Sequence, residues 1–133
     1  MVVDDSYNSS PQAVEAMLAT LTRDLRERRL VAVLGEMLEL GDRSIALHRR
    51  VGAMAATVGL GLLLSVGEDS ARAFGSAAVE AGLPANRAYH CESSQEAANR
   101  LTEMLDDGDL VLVKGSRGLR LELVVERLIA ECA

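Results

Sequence analysis

Leu30-Val-Ala-Val-Leu34 is a run of five apolar residues, and Gly35 follows it at once. A run this short and this uniformly apolar predicts a β-strand that is covered on both faces, as strands of parallel sheets usually are. Leu110-Val-Leu-Val113, near the other end of the chain, has the same character. Two such strands, far apart in the sequence, indicate a buried parallel sheet.

Helical segments alternate with strand-like runs along the whole chain. Three further strands are predicted, one beginning at Val2-Val3, one at Leu60–Val66 and a weaker one at Arg87–Cys91. Five strands and five helices in alternation imply right-handed βαβ crossovers. The sequence therefore predicts a single α/β domain over residues 1–133. Its sheet is expected to be doubly wound and mostly parallel, with five or six strands and helices on both faces.

The predicted helices have recognisable first residues and apolar faces. Ser10 and Pro11 form a cap and first-turn pair, Ser44 is a candidate cap for the second helix, and Ser93-Ser-Gln-Glu96 is a capping box. A third helix is predicted over Ala71–Ala81. The predicted inward faces of the second and last helices are Ile45, Leu47, Val51, Met54, Ala55 and Val58, and Leu121, Val124, Val125, Leu128 and Ile129, respectively.

Composition excludes several classes of protein. The chain has 133 residues and a formal net charge of −6, and its fourteen cations are thirteen arginines and one lysine, Lys114. No apolar run approaches the ~20 residues of a membrane span, and the N-terminus shows no basic region followed by an apolar one, so no secretory signal is expected. An acidic chain without interleaved arginines and aromatic residues is not typical of nucleic-acid binding. Cys91 and Cys132 match no metal or redox spacing, which fits a reducing cytoplasm.

Polar residues and glycines gather after the predicted strands, where ligands bind in open α/β sheets. The first strand is followed by Asp4-Asp-Ser-Tyr-Asn-Ser-Ser-Pro11, the second by Gly35-Glu-Met-Leu-Glu-Leu-Gly41, and the last by Lys114-Gly-Ser-Arg-Gly118. The third and fourth strands lead into Gly67-Glu-Asp69 and Glu92-Ser-Ser94. We therefore expect a binding site at this edge of the sheet.

The residue types after the first and last strands suit a nucleotide and an anion. Asp5 would suit a ribose diol, and a ring and an amide at Tyr7 and Asn8 would suit a nucleotide, although turn and cap roles explain the aspartate equally. Lys114 and Arg117 bring two cations, with backbone N–H groups, to the start of a helix. That combination favours a carboxylate or phosphate over a plain solvated loop.

The remaining polar positions are less specific. Glu36 and Glu39 flank two apolar residues, an unusual pattern for a solvent loop, while His48 is expected on a helix surface and His90 in a structural role. The chain contains no G-x-x-x-x-G-K-[ST] loop, no complete G-x-G-x-x-G and no nucleophile elbow. It is therefore expected to bind ligands without a complete catalytic constellation.

Three of these motifs, taken together and in order, resemble the C-terminal domain of the Mur ligases. They are Asp4–Pro11, Val33–Gly41 with Leu47-His48 after it, and Asp109–Arg117, and the likeness covers essentially the whole chain. The resemblance implies a Rossmann-like fold and a ligase of three domains. The N-terminal and central ATPase domains would be absent from this chain, which begins within a strand at residue 2.

The resemblance also implies an activity. It is nearest to the family members that use ATP and Mg²⁺, bound mainly by the central domain, to activate the carboxylate of UDP-N-acetylmuramoyl tripeptide and join it to D-alanyl-D-alanine. This step belongs to cytoplasmic peptidoglycan precursor synthesis, and hence to cell-wall biogenesis, cell shape and division. The domain would close over the nucleotide against the missing central domain of a monomeric enzyme. Without the P-loop it should be inactive alone.

Site residues carry over from the family position by position. Asp5, Tyr7 and Asn8 match positions that border the nucleotide. Two segments match those facing the incoming dipeptide, and they contain Gly35, Glu36, Met37, Leu38 and Glu39, and Lys114, Ser116 and Arg117.

Two other functions remain open from the sequence. A phospho-receiver domain shares the length, the (βα)₅ alternation, an acidic pair after the first strand and a lysine after the last. Against it, Ser65-Val-Gly67 offers no phosphoacceptor aspartate, and Lys114 is followed by glycine rather than proline. A nucleotide-binding regulatory module without a ligase partner is the third reading.

Overall fold

Within the part of the chain that the structure describes, five β-strands and five α-helices alternate, as the sequence predicts. The computed structural model describes residues 2–5, 10–24, 28–38, 40–115 and 119–132, and of residues 2–5, 21–24 and 132 the backbone alone. The elements are β1 (Val2–Asp5), α1 (Pro11–Asp24), β2 (Leu30–Gly35), α2 (Ser44–Thr57), β3 (Leu62–Val66), α3 (Asp69–Glu80), β4 (Ala88–Cys91), α4 (Ser94–Met104), β5 (Leu110–Lys114) and α5 (Glu122–Cys132). Short 3₁₀ turns at Gly41–Arg43 and Ala85–Arg87 precede α2 and β4.

The five described strands form one fully parallel sheet in the order β1-β5-β2-β3-β4. The last strand of the chain is therefore inserted between the first two. Its register pairs Val111 with Val2 on one side and with Val31 on the other. The predicted class, a doubly wound parallel α/β sheet, is confirmed.

Alternate residues of the central strands face two separate apolar cores. Leu34 and Leu112 belong to the core beneath α1, α2 and α3, whereas Val33 and Val113 belong to the core beneath α4 and α5. Helices on both faces explain why these strands are continuous apolar runs rather than alternating ones.

The strand order is that of a Rossmann sheet with one strand relocated. The four neighbours β4-β3-β2-β5 repeat the 3-2-1-4 order of the Rossmann half, and β1 lies where a fifth strand would lie. A phospho-receiver sheet has the order 2-1-3-4-5, with its first strand inside the sheet. Here β1 is an edge strand, so the receiver hypothesis does not fit the fold.

The chain reverses its direction across the sheet between β4 and β5. This reversal determines where a ligand-binding crevice is expected. The helices that follow β1 and β2 pack on one face of the sheet, and α5, which follows β5, packs on the other. The segments that leave β2 and β5 therefore diverge at the carboxyl edge, which is the switch point where open α/β sheets bind ligands.

An ion pair connects two strands at the amino-terminal edge of the sheet. Arg29, just before β2, donates from Nε to Oδ1 of Asp109 at 3.2 Å and from Nη2 to Oδ2 at 2.7 Å. The same Nη2 donates to the carbonyl of Met104 at 2.9 Å, and Asp109 also accepts the N–H of Asp106. The starts of β2 and β5 are thereby joined.

Two predicted caps are confirmed. Ser10 Oγ accepts the N–H of Ala13 at 3.1 Å, and Ser93 Oγ accepts that of Glu96 at 3.1 Å. The Glu96 carboxylate reaches back to the N–H of Glu92, one residue further than the usual capping box.

Several local predictions were wrong. Ser44 does not cap α2, because the 3₁₀ turn runs directly into the helix, and Ile45 is exposed instead of inward. Ile129 is also exposed. The third strand begins at Leu62 rather than Leu60, because the positive φ of +91° at Gly59 ends the turn after α2 and Gly61 first bonds to Leu30. Helix α3 begins two residues earlier than predicted, at Asp69. Over the described residues, no helix is both long and apolar enough to cross a bilayer.

Candidate functional site at the carboxyl edge of the sheet

Three predicted site segments meet at one edge because their strands are neighbours. Lys114, the last residue of β5, is in register with Asp5, the last residue of β1. On its other side it is in register with Leu34, one residue before Gly35. Residues more than 70 positions apart in the sequence are thus brought side by side at the switch point.

Lys114 is almost wholly buried, with 1% of its surface exposed. The prediction placed it in the loop after the last strand, whereas it is the final strand residue and has a hydrogen-bonding or electrostatic partner. A cation so enclosed interacts more strongly with a nearby anion than an exposed one does, since solvent screens it less.

Two glycines allow the ends of β2 and β5 to approach each other. A Cβ at Gly35 would lie 2.7 Å from Cδ1 of Leu121, 2.8 Å from Cδ1 of Leu119 and 3.1 Å from Cα of Gly115. A Cβ at Gly115 would lie 3.0 Å from Cα of Gly35. Gly35, predicted to bind substrate, thus has a packing role whatever else it does.

Glu36 links this edge of the sheet to the start of α3. Its Oε1 accepts the N–H of Glu68 at 3.2 Å and that of Ala71 at 3.1 Å, so the carboxylate caps the helix from outside its own sequence. Gly67, at φ +140°, leaves room for it, since a Cβ there would be 2.7 Å from Cβ of Glu36. The N–H of Glu36 also bonds to the carbonyl of Val66 at 2.8 Å.

The next two residues point in different directions. Met37 has 1% of its surface exposed and packs in the core beneath α1, α2 and α3. Leu38 is 48% exposed. Of the predicted dipeptide-facing residues from Gly35 to Leu38, Leu38 has the most exposed side chain.

His48 is buried, so the expectation of a surface histidine was wrong. Its Nε2 accepts the N–H of Met37 at 2.8 Å, and its Nδ1 lies 2.6 Å from the carbonyl oxygen of Ser44. The ring packs against Phe74 at a centroid distance of 4.7 Å. Burial lowers the pKa of His48, against the opposing influence of the Ser44 carbonyl and the Glu36 charge.

His90 lies on β4, away from the switch point. Its Nδ1 is 3.0 Å from Oγ of Ser65 on the neighbouring strand, and burial and then the Arg72 charge lower its pKa. These contacts agree with the structural role that was predicted for it.

Several predicted site residues lie in parts of the chain that the structure does not describe. Tyr7, Asn8, Glu39, Ser116 and Arg117 lie outside the described residues, and only the backbone of Asp5 is described. Within the described ranges, no three or more His, Cys, Asp or Glu side chains are grouped as a metal site would require. The roles predicted for these residues stay predictions.

Sequence reasoning missed His48 and the capping role of Glu36. A signal for His48 was present, because positions 48, 51 and 55 form one helical stripe and the other two residues are apolar. The two arginines that follow it, Arg49 and Arg50, instead indicated an exposed helix surface. The capping role left no comparable signal, since Glu36 and Ala71 are 35 residues apart.

Comparison with known proteins shows which family the chain belongs to. The family described as "Mur ligase, glutamate ligase domain" matches residues 1–117. The UDP-N-acetylmuramoyl-tripeptide–D-alanyl-D-alanine ligase of Mycobacterium tuberculosis is 34% identical over 98% of the chain, and that of Bacillus subtilis is 31% identical over 96%. The chain spans 29% and 28% of the length of these two curated relatives.

Solved structures agree with the sequence relatives. The MurF ligase of Thermotoga maritima, in complex with ADP, superimposes with a TM-score of 0.77 at 29% identity, over 98% of this chain and 28% of that one. The fold, the strand-end motifs and the relatives all indicate the same family, and the relatives match nearly the full length of the chain. The chain therefore belongs to the Mur ligase C-terminal domain family.

Proposed function

We propose that this chain is the C-terminal domain of an ATP-dependent amide ligase that adds D-alanyl-D-alanine to UDP-N-acetylmuramoyl tripeptide. The proposal extends to this chain what the names of its relatives state for whole enzymes, of which the chain spans less than a third. In it, the domain supplies binding surface to a reaction whose P-loop lies in a central domain outside residues 1–133, and the domain alone does not turn over ATP.

The observation that carries the proposal is the register of Lys114 between Asp5 and Leu34. It groups the segment that we propose to face the nucleotide and the two that we propose to face the dipeptide at the switch point of a Rossmann-like sheet. Ligands of this fold class bind at that crevice. A ligase that joins an activated carboxylate to an amine needs its nucleotide and its second substrate close together, which a shared strand edge provides.

Within this edge, we propose a division of labour. Asp5, Tyr7 and Asn8 serve the nucleotide, with Asp5 at the ribose. The dipeptide contacts come from two segments, which contain Gly35, Glu36, Met37, Leu38 and Glu39, and Lys114, Ser116 and Arg117. A terminal carboxylate suits Lys114 and Arg117, since charge-assisted bonds contribute about 1.5–3 kcal/mol each. Glu36 and Met37 act mainly by holding the segment that bears Leu38.

Two observations support a nucleotide at this edge of the sheet. Asp5 ends the edge strand beside the buried cation of Lys114, and the Thermotoga maritima relative holds ADP. When bound, ATP supplies the phosphoryl group that activates the carboxylate of the tripeptide. We propose that ATP and Mg²⁺ are held mainly by the central domain, and that the enzyme is a monomer which works in the cytoplasm. The unpaired, buried thiol of Cys91 agrees with that compartment.

A domain exchange tests the proposal. This chain replaces the C-terminal domain of the Bacillus subtilis relative, and ADP release is measured with ATP and Mg²⁺. We expect release only when UDP-N-acetylmuramoyl tripeptide and D-alanyl-D-alanine are both present, and none from the chain alone. The unmodified relative is the positive control. A folded chimera that binds ATP but releases no ADP with both substrates would contradict the proposal.

A further inference from the structure

We infer that His48 is a positioning residue for the segment from Gly35 to Leu38: by accepting the N–H of Met37, it fixes the backbone from which Leu38 projects. The inference rests on the proposed function in one respect, namely that this segment faces the incoming dipeptide. No part of His48 itself needs to touch a substrate, since both ring nitrogens already bond to Ser44 and Met37.

The polar contacts of the imidazole determine its tautomer. Oγ of Ser44 lies 3.4 Å from Nδ1, and because it donates to Ser70 it can only accept from the ring. The Ser44 carbonyl, 2.6 Å from Nδ1, can only accept a hydrogen bond, so Nδ1 carries the proton. The Met37 N–H, 2.8 Å from Nε2, can only donate, so Nε2 is unprotonated. The neutral Nδ1–H form satisfies both partners. A proton on Nε2 would set two donors against each other and break the contact to Met37.

The surroundings hold the ring in this orientation. Phe74 of α3 packs against it at 4.7 Å between centroids, with the two planes tilted by 55°. Oγ of Ser44, the first residue of α2, donates to Oγ of Ser70 on α3 at 2.9 Å. The packing of α2 against α3 therefore holds Nε2 in place as a hydrogen-bond acceptor.

The bond from Met37 to His48 acts on a short stretch of backbone whose neighbouring side chains are already held in place. Glu36 is tied to the N-terminus of α3 through its carboxylate, and the side chain of Met37 is anchored in the core. The amide of Met37 lies between these two anchors, directly before the exposed Leu38. Loss of its acceptor leaves a buried N–H unpaired, which favours a shift of the backbone that carries Leu38.

Two substitutions separate the hydrogen bonds of the ring. In His48→Gln, the amide oxygen reaches about as far as Nε2 and can accept the Met37 N–H. In His48→Asn, the shorter amide can reach the Ser44 carbonyl but not Met37. The two variants have similar polarity, so they form a matched pair in which only the Gln variant keeps the positioning contact.

The first readout uses the 133-residue chain and does not depend on ligase activity. Nuclear magnetic resonance of the wild type should show a neutral His48 protonated at Nδ1. The Met37 amide should exchange with solvent about tenfold faster in the Asn variant than in the wild type, and near the wild-type rate in the Gln variant. An Nε2-protonated ring, or equal exchange in wild type and Asn variant, would overturn the positioning contact; should either variant fail to fold, the wild-type tautomer alone decides.

The second readout uses the domain-exchanged ligase. We expect His48→Asn to raise the KM for D-alanyl-D-alanine about tenfold, with the KM for ATP unchanged, and His48→Gln to restore it. An unchanged dipeptide KM in the Asn variant would overturn the role toward substrate. A chimera with no dipeptide-dependent turnover would count against the proposed function, while the resonance data would still decide whether His48 positions Met37.

Discussion

Asp5 and Lys114, the last residues of β1 and β5, are register partners in the parallel sheet although 109 positions separate them. The pairing exists because β5 enters the sheet between β1 and β2. The switch point therefore receives the first and last strands of the chain together. The segments that are proposed to meet nucleotide and dipeptide owe their proximity to this single insertion.

Gly52→Ala should destabilise the domain by about 1–3 kcal/mol, because the new Cβ would clash with the backbone carbonyl oxygen of Phe74 where α2 packs on α3. Urea unfolding followed by circular dichroism measures the change. Gly75→Ala is the matched control, since its Cβ would make only an ordinary 3.8 Å contact with Cβ of Ala88. That variant should be more stable by up to about 1 kcal/mol, from helix propensity. Equal effects from the two substitutions would refute close packing at Gly52.

Asp109→Ala should cost about 2–3 kcal/mol, because it leaves the partly buried Arg29 with only the longer, 3.6 Å contact to the exposed carboxylate of Asp106. Burial acts to raise the pKa of Asp109, but the hydrogen bond from Arg29, the N–H of Asp106 and the Arg29 charge together lower it. A double-mutant cycle with Arg29→Ala measures the coupling. We expect the double variant to be less destabilised than the sum of the two singles. Strict additivity would show that the pair contributes nothing of its own.

Glu36→Ala should destabilise the domain by about 1 kcal/mol through loss of the cap on α3. Glu36→Gln keeps an accepting oxygen and should lose less. Hydrogen exchange at the amides of Glu68 and Ala71 reports the cap directly, and both should exchange faster in the Ala variant. Unchanged protection of both amides would show that Glu36 does not cap the helix.

The free energy of unfolding should fall as the pH drops below about 6.5. Burial lowers the pKa of His48 and His90 from the ordinary value of 6.5, so the unfolded chain binds more protons than the folded one in this range. The contribution is present above the unfolded pKa and is lost as the pH falls toward the folded pKa. Urea titrations between about pH 7.5 and about pH 5 measure it. The slope should be shallower in His48→Gln, and an identical slope would contradict the buried neutral ring.

The fold class followed from the sequence because the same physical condition acts on every central strand. Burial on both faces requires continuous apolar runs such as Leu30–Leu34, and those runs are visible without the structure. Strand order was not predictable in this way. The insertion of β5 depends on packing between distant segments, and no local pattern in Leu110–Lys114 reports its neighbours.

The site was predictable as a set of strand-end segments but not in its internal contacts. Local propensity places Gly35 and Lys114 at strand ends, whereas the cap by Glu36 and the bond from Met37 to His48 arise only when α2 and α3 pack on the sheet. Ile45 illustrates the same limit. The 3₁₀ turn before α2 turned this residue outward, against its hydrophobicity.

The most direct test of the strand-edge assignment is the KM for D-alanyl-D-alanine of the domain-exchanged ligase carrying Lys114→Met, a substitution that keeps the buried stem and removes the charge. We expect this KM to rise about 10- to 100-fold, as for loss of a charge-assisted bond to a carboxylate. A dipeptide KM equal to that of the parent enzyme would contradict a role for Lys114 at the substrate-facing edge.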